Sequence, residues 1–299
     1  MHRWLLWTLL TVFCWGVWAL LGKVIGDSLS PALMQALSTI GLIPIMLVLW
    51  LSKRDYREGN TRRGALLALG AGVITCLGNI AYYDVLNRGE KAATVVPLTA
   101  LYPVVTILLA ILILRERLNI IQYVGIALSV GAIYFFNVQQ DAGFVSSWLL
   151  VALIPIALWG VAGLLQKLAT NHISGQLATL WFLAAFVPVG IGIIVMQSFP
   201  ATVSGKTWAL VAALGFSFAL GNFALLAAFA NNGKASIITP LAGLYPAVSI
   251  PVAIIALHER IGWRETLGIV LALISVVALS RESASAVAPV SPGKPELRT

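Results

Sequence analysis

The chain has 299 residues, of which 60% are hydrophobic and 10% charged, against about 25% charged in an average soluble domain. Its mean hydropathy is +0.94 and its formal net charge is +8. So little charge cannot coat a water-soluble surface. Apolar runs of about 20 residues, each able to cross a ~30 Å hydrocarbon core, leave no room for a separate soluble catalytic domain.

The first run follows Met1, His2 and Arg3 and is read as a span over 4–25. It is too long for a secretory signal peptide and lacks a small-x-small cleavage site. A turn at Gly26 to Ser30 leads into the second span, 31–51. The loop from Ser52 to Arg63 then gathers Lys53, Arg54, Arg57, Arg62 and Arg63, five of the 19 basic residues. A basic cluster beside apolar spans is what the positive-inside bias produces, so no nucleic-acid partner is needed to explain it. Further spans are expected at 64–85, 92–114 and 120–138, and, after a loop at 139–146, at 147–169, 175–197, 207–229, 235–257 and 263–280. From Arg281 the chain turns to Ser, Ala and Pro, which predicts a disordered tail over 281–299.

Ten spans make an all-α integral membrane protein with both termini on one side of the bilayer. With the N-terminus inside, 13 basic residues fall on the cytoplasmic side and 6 on the other, which predicts cytoplasmic termini in a cell's inner membrane. Cys14 and Cys76 lie within apolar runs and form no metal-binding spacing. The zincin-like His258-Glu259 lacks its second histidine, because position 262 is glycine. Neither a cofactor nor an enzyme constellation is expected.

The most informative feature is an internal repeat. With a shift of 143 residues, Gly78-Asn79 falls on Gly221-Asn222, Lys91-Ala92 on Lys234-Ala235, and Pro97-Leu98 on Pro240-Leu241. Leu101-Tyr102-Pro103 falls on Leu244-Tyr245-Pro246, Glu116-Arg117 on Glu259-Arg260, and Gly125 on Gly268. Over 78–125, 18 of 48 positions are identical. A shift of 144 places Trp15-Gly16-Val17 on Trp159-Gly160-Val161. Five spans per copy is an odd number, so the second copy, 147–280, is inserted upside down relative to the first, 1–138. A pseudo-two-fold axis in the membrane plane is the arrangement of many secondary transporters.

The doubled pattern, Pro97-Leu98 and Leu101-Tyr102-Pro103 followed by Arg115-Glu116-Arg117-Leu118, Gln122 and Gly125, resembles the EamA-type domain of the drug/metabolite transporter superfamily. The resemblance covers about 1–280. It implies ten helices around a central cavity between two inverted halves, and export or exchange of small metabolites such as amino acids by alternating access. Uptake or exchange of an organic acid, sugar derivative, amine or drug is the alternative. The first span carries no glutamate, a departure from the small multidrug-resistance relatives. The expected partners are a small-molecule substrate and the lipid bilayer, with a coupling proton as an optional addition. One chain holds both halves, so a monomer suffices, while a dimer is compatible with the pattern.

Residues that stand out within the spans are the candidates for transport. Proline frees backbone carbonyls inside a helix, so Pro97, Pro103, Pro240 and Pro246, with Gly243, are read as hinges or as static kinks. Trp15, Trp18, Trp159, Tyr102 and Tyr245 lie away from the interfacial belts where such rings usually sit. They line a cavity or pack a core. Asn79 and Asn222 contact substrate or join helices. Tyr82 and Tyr83 precede Asp84, which meets a substrate amine or proton, or pairs with Arg88 one turn on. Gln166 completes the substrate-binding set. Glu116-Arg117 and Glu259-Arg260, beyond the spans, are expected to cap and pair helix ends.

Overall fold

The computed structural model describes residues 3–52, 61–114, 118–137, 147–200, 202–230, 241–279 and 281. The basic cluster up to residue 60, Glu116-Arg117, Lys234, Pro240 and the tail from 282 lie outside them. All regular structure among the described residues is helical. The α-helices are α1 (Arg3–Ile25), α2 (Pro31–Leu51), α3 (Thr61–Asn87), α4 (Ala92–Thr99), α5 (Pro103–Leu114) and α6 (Ile120–Asn137). After residue 146 come α7 (Ser147–Thr170), α8 (Gly175–Ala184), α9 (Phe186–Met196), α10 (Gly205–Ala230), α11 (Pro246–Ala256) and α12 (Trp263–Leu279).

Among the described residues, seven segments are long and apolar enough to cross a membrane: α1, α2, α3, Ala92–Ile113, α7, Gly175–Met196 and Gly205–Leu225. The first-repeat helix starts show how local chemistry repeats. Ser30 accepts the Leu33 N–H and Pro31 opens α2; 144 residues on, Ser174 accepts the Leu177 N–H at the start of α8. Both seryl oxygens satisfy a donor that has no partner within its own helix.

Three expected spans are interrupted among the described residues. The fourth stops at Thr99 and resumes at Pro103, where Pro103 has no N–H to return to Thr99 O. Three-residue bonds carry the chain across: Leu101 N–H to Leu98 O and Tyr102 N–H to Thr99 O. The second copy has the same pattern, with Leu244 N–H to Leu241 O and Tyr245 N–H to Ala242 O before Pro246 opens α11. The seventh span is interrupted at Ala185, where Pro188 stands in the first turn of α9 and cannot return a bond to Ala184. Pro44 and Pro155, by contrast, are accommodated inside unbroken α2 and α7.

The two copies are interleaved. The first helix of each packs on the third span of the other, α1 on α10 and α7 on α3. The fifth spans, α6 and α12, pair across the pseudo-axis, where the Ser275 hydroxyl donates to Gly125 O at 2.8 Å. α2 and α10 meet backbone to backbone at Gly41 and Gly215. Outward faces carry apolar side chains such as Leu6, Phe13, Leu47, Leu112 and Ile255, as helices facing lipid require.

Candidate functional site

The interleaving leaves a cavity of about 200 Å³ at the centre of the bundle. Five repeat-related pairs contribute to its wall: Trp15 with Trp159, Trp18 with Ala162, Thr75 with Phe218, Asn79 with Asn222, and Tyr102 with Tyr245. Gly163, Gln166, Phe182 and Leu225 complete it. Among the described residues, no lining side chain carries a charge. Of the candidate residues from the sequence, Trp15, Trp18, Asn79, Tyr102, Trp159, Gln166, Asn222 and Tyr245 are thus brought together.

Glycine following tryptophan explains how the rings reach this position. A side chain at Gly160 would run into Val105 and lie 3.0 Å from Tyr102 O; one at Gly16 would lie 2.7 Å from Val248 Cβ and 3.1 Å from Tyr245 O. Each first helix therefore lies directly on the interrupted helix of the other copy. The rings follow the same exchange, Trp15 standing edge-on to Tyr245 with centroids 6.1 Å apart and Trp159 edge-on to Tyr102 at 6.3 Å. Gly78 gives room to the Trp159 ring and Gly221 to the Trp15 ring.

The symmetry fails where the paired tryptophans meet the paired asparagines. The Trp159 indole N–H donates to Asn79 Oδ1 at 3.1 Å. The corresponding Trp15 indole nitrogen is buried without a partner among the described residues, and Asn222 instead donates from Nδ2 to Phe218 O in its own helix at 2.8 Å.

Tyr82 and Tyr83 do not line the cavity; they are buried behind Trp18. Tyr82 stacks on the Trp18 ring with centroids 5.3 Å apart and donates to Ala19 O at 2.6 Å, while Trp18 Nε1–H donates to Tyr83 Oη at 3.0 Å. Asp84 does not reach the cavity either. It lies at the end of α3, where both Arg88 Nε–H and an Arg88 terminal N–H donate to its Oδ2 at 2.9 and 2.7 Å. Of the two readings open for Asp84, the geometry matches the boundary ion pair. Pro97 is buried inside α4, Pro103 and Pro246 open α5 and α11, and Gly243 lies in the second interruption.

The cavity extends from the ring layer toward the membrane face at which α3 begins and α7 and α10 end, reaching Thr75, Gln166 and Leu225. Beyond the Trp18–Tyr82–Tyr83 layer, toward the opposite face, the copies are tied together. Both Glu259 carboxylate oxygens accept from the start of α4, from Ala92 N–H and Ala93 N–H at 2.8 Å each. Lys91 pairs with Glu265 at 2.7 Å. Lys23, in the last turn of α1, donates to Leu86 O and Glu90 O. Burial raises the Glu90 carboxyl above its ordinary pKa against the pull of Lys23 and Lys91.

Sequence reasoning missed Thr75, Ala162, Gly163, Phe182, Phe218 and Leu225. Thr75 and Phe218 carried a signal: each stands one helical turn before the paired asparagine of its copy, at related positions.

A family model for EamA-like transporters matches residues 2–138 and again 146–281. The chain belongs to the EamA-like transporter family. It is therefore a multi-pass membrane transporter of the drug/metabolite type, not an enzyme. An uncharacterised protein of Methanocaldococcus jannaschii is 34% identical over 73 residues, 24% of this chain. The matched stretch spans about half, 53%, of that relative's length. A crystal structure bearing no functional description superposes with a TM-score of 0.62 at 14% identity, covering 91% of this chain and 94% of that one. It supports the fold alone.

Proposed function

We propose that this EamA transporter exports or exchanges small metabolites, amino acids or their derivatives, by alternating access, as a monomer with cytoplasmic termini in a cell's inner membrane. The observation that carries this reading is the placement of two symmetry-related helix interruptions, at 100–102 and 243–245, against one central cavity. Three-residue bonds there are readily re-formed with other partners, so each copy has a pivot at the same depth. The copies are tied together on the Glu259 face, while the cavity extends toward the other. With the N-terminus inside, the accessible face is the cytoplasmic one, as loading for export requires.

The wall favours a neutral or zwitterionic solute. Aromatic faces attract an ammonium group, and the amides of Asn79, Gln166 and Asn222 supply polar partners without fixed charge. An organic anion would meet no cationic side chain among the described residues of the wall. Flux in proteoliposomes tests the reading directly, with labelled amino acids, organic acids and amines, each with and without a pH gradient. Saturable amino-acid flux is expected; its absence for every amino acid overturns the substrate class. Because Asp84 is bound by Arg88 outside the cavity, Asp84→Asn is expected to leave concentrative transport unchanged. Pro103→Ala combined with Pro246→Ala is expected to slow it.

A further inference from the structure

We infer that Asn222 is a two-position acceptor that selects substrates bearing an amine, its side-chain oxygen going to the substrate in one position and to the Trp15 indole N–H in the other. The inference rests on the transporter reading and deepens it. Its basis is a contact at which the two copies differ although the residues are the same.

Trp159 and Asn79 show what the repeat builds when the bond is made, an indole N–H on an amide oxygen within the ring layer. Trp15 stands in the equivalent place, with its ring over Gly221 next to Asn222. The buried Trp15 nitrogen has no partner among the described residues. A buried donor without an acceptor is costly, so an alternative position that supplies one is favoured. Asn222 supplies it after a side-chain rotation alone, because the backbone relationship already exists in the other copy.

The present position of Asn222 fixes which atom faces the substrate. A backbone carbonyl only accepts, so the atom turned toward Phe218 O is the amide nitrogen. That leaves Oδ1 without a protein partner among the described residues, on a residue of the cavity wall. An amide oxygen takes N–H donors. The surrounding rings of Trp15, Trp18, Phe218 and Tyr245 offer their faces to the same kind of group. An ammonium or amine therefore competes with the Trp15 N–H for one oxygen, and substrate binding is coupled to release of a bond between the copies.

The test uses the full chain in lipid nanodiscs with nitrogen-15 in the tryptophan indoles, signals being assigned by W15F, W18F and W159F. Three probes share one branched skeleton: L-leucine, isoamylamine, which lacks the carboxyl group, and 4-methylpentanoate, which lacks the amine. Leucine and isoamylamine are expected to move the Trp15 signal toward its position in Asn222→Leu, and 4-methylpentanoate to leave it in place. The Trp159 signal stays fixed throughout. In Asn222→Leu, affinity for isoamylamine falls by about tenfold, the loss expected for one charged hydrogen bond. Asn222→Ala serves equally should the leucine variant fail to fold. The inference is overturned if a probe moves the Trp18 signal while Trp15 stays unmoved, or if the carboxylate alone moves Trp15. Should no probe move any indole, the amino-acid reading falls. The Asn222 switch is then judged by the probe-free comparison: a Trp15 signal identical in wild type and Asn222→Leu rejects it, and a displaced one supports it.

Discussion

The Trp159 indole N–H donates to Asn79 Oδ1 at 3.1 Å, a buried bond that joins the second copy to the first. Asn79 is almost completely buried, at 2% exposure, so its loss leaves the indole donor with no solvent to replace it. Asn79→Ala is expected to destabilise the protein by about 1–3 kcal/mol, seen as a lower thermal midpoint in detergent. In the position seen here Asn222 bonds only its own helix, so Asn222→Ala should shift the midpoint less, by an amount that grows with the population of its Trp15-bonded position. Equal shifts would mean that the two copies are more alike in solution than their geometry.

The close approach at Gly16 and Gly160 gives a second expectation. A methyl group at either site collides with the interrupted helix of the other copy. Gly160→Ala should cost about 1–3 kcal/mol through overpacking and slow transport, because the contact lies beside the pivot at Tyr102. Gly192 in α9 has nothing within 4 Å of an added methyl. Gly192→Ala should therefore stabilise by roughly 0.5–1 kcal/mol through its helical preference, with transport unaffected. Thermal midpoints and flux for the pair distinguish packing from helix propensity.

Much of this arrangement was legible in the sequence because the repeat doubles each signal. Tyr102-Pro103 and Tyr245-Pro246 marked the interruptions, and the paired tryptophans and asparagines marked the cavity. The interruption at Ala185 was not read, since Pro188 looks no different in sequence from Pro44 or Pro155, which are absorbed within unbroken helices. Proline sets where a bond is missing; packing decides whether the helix stops. Asp84 stood out because charge within a span is costly, yet it lies at the end of α3, where Arg88 reaches it. Tyr82 and Tyr83 share the depth of the cavity but face the back of Trp18, a matter of helix rotation that spacing alone leaves open. The failed symmetry at Trp15 is a side-chain choice between two acceptors and has no trace in the residue pattern.

Glu259 holds the tied face through the first two free N–H groups of α4. A carboxylate on a helix N-terminus gains from both the bonds and the dipole, together about 1–2 kcal/mol. Glu259→Ala removes them and should shift the molecule toward opening on this face by about tenfold in population. Thr94, 5% exposed, reports the change. A Thr94→Cys protein should react faster with a membrane-impermeant maleimide once Glu259→Ala is added. An unaltered rate would separate Glu259 from the opening of this face.

Glu90 sets a pH dependence on that same face. It lines a polar hollow of about 390 Å³ with Lys91, Arg264 and Glu265. Burial raises its carboxyl pKa; Lys23 and Lys91 lower it, Glu265 raises it further, and the balance is upward. An acid with a raised pKa in the folded protein ionises first in the unfolded chain. Stability is therefore complete below the ordinary carboxylate pKa, falls as the pH rises through the folded value, and stays reduced above it. Glu90→Gln removes the charge that burial penalises while leaving the backbone acceptor of Lys23 in place. The variant should melt above the wild type at neutral pH, and the two midpoints should converge as the pH falls below the ordinary carboxylate pKa. A variant that melts below the wild type at neutral pH would instead mean that the attraction of Lys23 and Lys91 outweighs the cost of burial.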